Sequence, residues 1–221
     1  MTKPRRRRVP WWLEIPLALA LALGCALVVT TWFVQAFVIP SSSMRPTLVK
    51  HDRIVVEKWS TWSGLPERGD VVVFRDPGEW LDEQERVSVL RRLTQELGLA
   101  PKGGHLVKRV IGLPGDEVRC CDARGRTLVN GRAIDEPYLA DATANADVTF
   151  QVTVPRDRLW VEGDNRGDSE DSRLQMDGPS GGFVPVDHVV GRVWSRVWPL
   201  GRFGPPAATR AFDDVPAPAK G

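Results

Sequence analysis

From Ile15 to Val34 the chain reads IPLALALALGCALVVTTWFV, twenty residues with no ionisable group except Cys25. A helix of that length, at ~1.5 Å per residue, matches the ~30 Å hydrocarbon core of a bilayer. Pro16 falls in the first turn, where a missing N–H costs little. Trp11, Trp12 and Trp32 stand near the two ends, as interfacial aromatics do. Arg5 to Arg8 precede the run, so the positive-inside rule puts residues 1–14 in the cytoplasm and the body outside. A cleavable export signal would need a shorter run followed by small residues, and Thr30-Thr31-Trp32-Phe33 is too bulky. Leu23-Gly24-Cys25 loosely matches a lipoprotein processing site, but the apolar run continues nine residues beyond it. The expectation is an uncleaved single-pass anchor over residues 15–36, in contact with membrane lipids, with Cys25 as a small apolar residue in it.

The charge balance supports that division. The chain of 221 residues has a net charge of +2 from 30 basic and 28 acidic residues. Residues 1–14 hold five of the bases and one of the acids, which leaves the remainder slightly acidic. The basicity is local, so the composition gives no support to nucleic-acid binding.

Beyond the anchor, short β-rich runs alternate with turn residues. Asp52–Lys58, Asp70–Phe74, Leu106–Gly112, Glu117–Cys121, Phe150–Val154, Arg158–Glu162 and Val189–Val197 read as strands. Asn130-Gly131 between Thr127–Val129 and Arg132–Ile134 is a strong two-residue hairpin signal. Strands at this density predict an all-β body over residues 37–204. The exception is Glu79–Gly98, where Leu90, Leu93 and Leu97 recur at helical spacing, and a small helical insertion is expected there. Residues 205–221 are rich in Pro and Ala without periodicity and read as a disordered tail. Cys120 and Cys121 are adjacent, and ~3.8 Å between Cα atoms across a trans peptide is too short for an ordinary disulfide. His51, His105 and His188 are scattered, so neither a metal site nor a cofactor is expected.

Three stretches carry chemistry. Phe37 to Leu48 (FVIPSSSMRPTL) places three consecutive hydroxyls between two prolines, each of which restricts the backbone around it. Lys108 to Asp116 (KRVIGLPGD) begins as a strand and closes in a Pro-Gly turn; alternation puts Lys108 and Arg109 on opposite faces without saying which is buried. Arginine is never a base, whereas a buried lysine can lose its proton. At pKa ~10.4 a lysine is under ~0.1% neutral at pH 7, and burial can lower it by up to ~3–5 units. Gly163 to Arg173 (GDNRGDSEDSR) is dense in turn formers, charges and hydroxyls, and fits either an exposed loop or a hydrogen-bonded network. Asp187-His188 offers a Ser–His alternative, though it also reads as an ordinary exposed strand end.

Together and in order, these stretches resemble the type I signal peptidases, membrane serine proteases that remove signal peptides. Supporting matches are Arg68–Phe74 and the weaker Phe183-Val184-Pro185 and Val190-Gly191-Arg192. The resemblance implies a fold of two antiparallel β-sheet regions, shared with self-cleaving repressors. It implies Ser43 as nucleophile, Lys108 as general base, and Ser169 as the hydroxyl orienting the lysine. Asp171 and Arg173 fall on the family's supporting ion pair. Ser41 and the backbone N–H of Ser43 fall on the oxyanion hole, and Phe37, Ile39 and Val107 on the pockets for small side chains at substrate positions −1 and −3. Ser42 departs from the glycine that many relatives carry. The implied partners are preprotein signal peptides, for a monomeric enzyme in the cytoplasmic membrane. The alternatives are a related Ser–Lys peptidase with a dedicated substrate and a non-catalytic anchored homologue.

Overall fold

The computed structural model describes residues 11–28, 32–59, 64–78, 80–81, 104–141, 143–144, 148–207 and 209–218. Helix α1, Trp11–Val28, has 18 residues, or about 27 Å at ~1.5 Å per residue. Among the described residues no helix is long and apolar enough to cross a membrane. Leu17, Leu19, Leu21, Leu23 and Leu27 are all exposed, so none of the described residues covers them. The expected anchor also ends sooner than its boundary at residue 36, because Val34–Val38 form an edge strand, β1. The apolar run hid this transition: valine and phenylalanine suit a strand as well as a bilayer.

The remaining strands are β2 (Arg53–Glu57), β3 (Val71–Arg75), β4 (His105–Gly112), β5 (Glu117–Cys120), β6 (Leu128–Val129), β7 (Arg132–Ala133), β8 (Phe150–Thr153), β9 (Arg158–Glu162), β10 (Val184–Pro185) and β11 (Val189–Trp198). They form a seven-stranded sheet in the order β1-β2-β11-β3-β4-β9-β10 and a four-stranded sheet in the order β7-β6-β5-β8. Every pairing is antiparallel. The all-β, two-sheet expectation therefore holds for the body. The helix expected over Glu79–Gly98 lies outside the described residues except for Trp80 and Leu81.

β3 shows how the large sheet is stabilised. Its alternate residues point to opposite faces: Val71 and Val73 join a core with Phe37, Ile39, Met44, Leu48 and Ile54. Val72 and Phe74 join a second core with Leu106, Val110, Leu159 and Val161. Both faces are covered, which is why VVVF is apolar throughout instead of alternating.

The Pro-Gly turn after β4 leads into the small sheet. A Cβ at Gly112 would lie 2.6 Å from Val118 and 3.0 Å from Val154, so only glycine lets the two sheets approach there. Asp116, fully buried, receives Arg68 through two bonds of 2.7 and 2.6 Å, the Leu113 N–H at 2.8 Å and Asn130 Nδ2 at 2.9 Å. Asn130 and Gly131 both have positive φ, 51° and 78°, the geometry of the tight turn that Asn-Gly favours.

Two expectations need correction. Cys120 and Cys121 are joined as a disulfide, with Cα atoms 3.0 Å apart across a cis peptide; the expectation had assumed trans. The C-terminal segment is not a free tail. Phe212 is buried in the core of the small sheet beside Ile111, Val118 and Trp160. The Pro216 carbonyl accepts a 2.8 Å bond from Asn130 Nδ2, and Arg132 pairs with Asp214 at 3.3 Å. A Pro-rich strap needs no ladder of its own once one aromatic residue anchors it, and composition does not reveal that. Phe212→Ala is expected to lower stability by about 3 kcal/mol, measured as a lower urea midpoint with an unchanged slope.

Candidate functional site

The hydroxyl turn follows β1 directly. Its first part is fixed by backbone bonds: the Ile39 N–H donates to the Asp52 carbonyl at 2.9 Å and the His51 N–H to the Ile39 carbonyl at 2.8 Å. Met44 and Leu48 are buried beneath it. This places Ser43 at the surface of the core, 8% exposed, with Ser41 Oγ 3.3 Å from Ser43 Oγ. Among the described residues no acceptor takes the backbone N–H of Ser43.

Lys108 and Arg109 are both buried, which settles what alternation left open. Lys108 Nζ donates to Ser169 Oγ at 2.9 Å, and Ser169 Oγ donates in turn to Asp171 Oδ2 at 2.8 Å. The serine proton is thus committed to the carboxylate, so toward Lys108 the hydroxyl acts only as acceptor. Asp171 is held by Arg173 through Nε and Nη2, both at 2.9 Å, and by the Gly163 N–H at 2.9 Å. Its burial would raise its pKa, but the bonds and charge of Arg173, together with Lys108, keep it below the ordinary value. Burial lowers the Lys108 pKa from 10.5 to about 8, partly opposed by the negative charge of Asp171.

Ser43 and Lys108 line one cavity of about 80 Å³ with Ile39, Pro40, Ser41, Met44, Leu81, His105, Leu106 and Val107. No hydrogen bond joins Ser43 Oγ to Lys108 Nζ, although both residues line the same cavity. Of the expected pocket residues, Ile39 and Val107 line the cavity. Phe37 stands behind it, its ring 5.4 Å from that of His105. His188 is elsewhere, with Nδ1 3.4 Å from the Arg75 carbonyl, so the Ser–His alternative has no geometric basis.

The sequence reading missed how tightly the third stretch grips the first. The Asn165 N–H donates to the Ser43 carbonyl at 3.0 Å, and Asn165 Nδ2 to the Ser42 carbonyl at 3.3 Å. Ser42 Oγ donates to Asp168, the neighbour of Ser169. Thr47 Oγ1 donates to Asp164, which Arg109 clamps at 2.8 and 2.7 Å while its guanidinium lies 3.9 Å from the centre of the Tyr138 ring. A Cβ at Gly163 would overlap both the Ser43 carbonyl and Ser169 Oγ. Glycine is required there by close approach, and only the density of hydrogen-bonding residues in Gly163–Arg173 hinted at this.

The arrangement can deliver an uncharged amine beside a buried hydroxyl, with two donors, Ser41 Oγ–H and Ser43 N–H, next to it. Two outcomes check it. Lys108 should titrate near 8 by NMR of labelled lysines, with its resonance identified by its loss in Lys108→Met. Asp171→Asn should shift that titration lower, because the carboxylate charge favours the ammonium form.

The sequence profile described as "Signal peptidase, peptidase S26" matches residues 12–198. The "Probable signal peptidase I" of Mycobacterium leprae (strain TN) is 36% identical, over 92% of this chain and 81% of its own length. The "Signal peptidase I" of Mycobacterium tuberculosis (strain H37Rv) is 38% identical, over 91% and 78%. A crystal structure of a signal peptidase I from Enterococcus faecalis V583 overlaps 59% of this chain and 97% of its own, at 28% identity and a TM-score of 0.38. The family match and the mycobacterial relatives, with the motifs whose residues meet around the Ser43–Lys108 cavity, establish that this chain belongs to the signal peptidase family, peptidase S26.

Proposed function

We propose that the chain is a signal peptidase I that removes N-terminal signal peptides from exported preproteins, with Ser43 as nucleophile and Lys108 as general base. The observation that carries this reading is the buried Lys108 amine. Its pKa near 8 leaves roughly a tenth of it neutral at pH 7, against under ~0.1% for an ordinary lysine.

Ser43 Oγ attacks the scissile carbonyl carbon as its proton passes to the lone pair of Lys108 Nζ. The negative charge that forms on the carbonyl oxygen is held by Ser41 Oγ–H and Ser43 N–H. Donors already in place act without reorganisation, and the loss of one costs ~10²–10³ in rate in comparable sites. Lys108 then returns its proton to the departing amine, and the C–N bond breaks to leave an ester on Ser43. Water, deprotonated by the again neutral Lys108, cleaves that ester and frees the signal peptide with a carboxylate end. Ser169 orients the amine, and Asp171 with Arg173 orients Ser169; these are positioning residues.

The cavity suits an extended peptide. β9 pairs with β4 only from Arg109 onward, so among the described residues no strand flanks that side of the half of β4 that borders the cavity. A peptide added there would follow the ordinary mode of β-augmentation. The small volume favours small side chains next to the cut. Membrane attachment through α1 is part of the proposal: Leu17, Leu19, Leu21, Leu23 and Leu27 are exposed, four arginines precede it, and the hydroxyl turn begins only a few residues after β1. A single-pass topology with a cytoplasmic N-terminus and an external catalytic body follows.

Detergent-solubilised protein should convert a preprotein to its mature form, and Ser43→Ala and Lys108→Arg should abolish conversion while circular dichroism stays unchanged. Equal processing by all three proteins would overturn the assignment. Because the neutral lysine is the active form, kcat/KM should rise tenfold per pH unit below about 8 and level off above it. A rate that falls across that window would contradict Lys108 as base.

A further inference from the structure

One wall of the cavity comes from outside the three motif stretches. Leu81, at the head of the segment between β3 and β4, lines it together with His105 and Leu106. Its position is set by its neighbour. Trp80 is 3% exposed, its ring packs edge-on to Phe74 at 5.8 Å, and its Nε1 donates to Ser180 Oγ at 3.0 Å. The Trp80 N–H is bound by Asp76 Oδ1 at 3.1 Å, and the same oxygen takes the Gly78 N–H at 3.0 Å. The turn that presents Leu81 is therefore pinned at both backbone and side chain, and Leu81 itself packs against the core that includes Leu106.

The cavity has direction. Ser43 and Lys108 mark the end where the bond is cut. Leu106 lies on the same face of β4 two residues earlier, about 7 Å away. In an extended peptide the side chains at −1 and −3 are separated by the same two-residue step and also share a face. With −1 beside Ser43 and Lys108, the −3 side chain falls at the end walled by Leu106, His105 and Leu81.

We infer that Leu81 is a specificity-determining residue that limits the size of the side chain accepted at position −3. This rests on the reading of the cavity as the peptide site. Leu81 closes the pocket by bulk alone: it supplies no proton and no charge, and its variants alter which peptide is cut, not how.

The test compares two preprotein-derived peptides identical except for Ala or Leu at −3, with a second pair that differs likewise at −1. Each is cleaved by the full chain in detergent as wild type, Leu81→Ala and Leu81→Phe, with Ser43→Ala alongside. The readout is the ratio of kcat/KM for the Leu peptide to that for the Ala peptide, from which any general loss of active enzyme cancels. Leu81→Ala should raise this ratio about tenfold or more at −3, the range expected when a hydrophobic pocket gains room for added methylenes, and Leu81→Phe should lower it. The ratio at −1 should stay within about twofold of wild type. Ratios at −3 unchanged in both variants, or a change confined to −1, would overturn the inference. If Ser43→Ala still cleaves, the site reading itself falls; if it is inactive while the −3 ratios do not move, only the role of Leu81 does.

Discussion

Everything in this site depends on the removal of water from a single amine. Lys108 belongs to a strand buried along most of its length, and its nitrogen meets Ser169 in place of solvent. Burial disfavours the ammonium, while the nearby carboxylate of Asp171 favours it. The outcome is a compromise near 8, where the group can both take a proton and give it back. The charge of Asp171 pulls the lysine pKa up, and Arg173, bound to that carboxylate by two hydrogen bonds, pushes it down with its own positive charge. The pair thus tunes the amine as well as orienting it.

The second requirement of the proposed chemistry is that Ser43 and Lys108 keep a fixed relation, although they lie on segments 65 residues apart in sequence. The segment from Gly163 to Arg173 meets it by bonding to both. Asn165 and Asp168 hold the carbonyls and hydroxyl of the Ser42–Ser43 turn, and Ser169 holds the lysine. Arg109 and Asp164 add a buried ion pair that reaches Thr47 at the far end of the turn. An isolated buried pair is weak support for stability, but this one is hydrogen-bonded on several sides, and its position ties β4 to the hydroxyl turn. Adjacent residues Lys108 and Arg109 therefore face opposite sides of one strand, one bonded to Ser169 and the other to Asp164.

Much of this was readable from the chain. The strands announced themselves by β-branched runs and turn residues, and Asn130-Gly131 marked its hairpin by the need for two positive φ angles. The resemblance to the signal peptidase motifs singled out Ser43, Lys108 and Ser169 from their neighbours. What could not be read was mutual approach. Nothing local in Gly163 says that two other segments crowd its α-carbon, and nothing in Ser42 says that its hydroxyl meets Asp168. Phe212 was hidden by its Pro- and Ala-rich surroundings, because composition averages over the one residue that matters. β1 was hidden by the opposite effect, an apolar run with no punctuation where helix gives way to strand.

The placement of Phe212 has a consequence for how the molecule is made. The innermost layer of the small sheet is completed by a side chain that comes after β11 in the chain. A nascent polypeptide emerging from the ribosome folds from its N-terminal side first, so the large sheet can assemble while the small one still lacks its closing piece. The small sheet is thus the later of the two to close, its core left open until the segment after β11 has emerged and folded back.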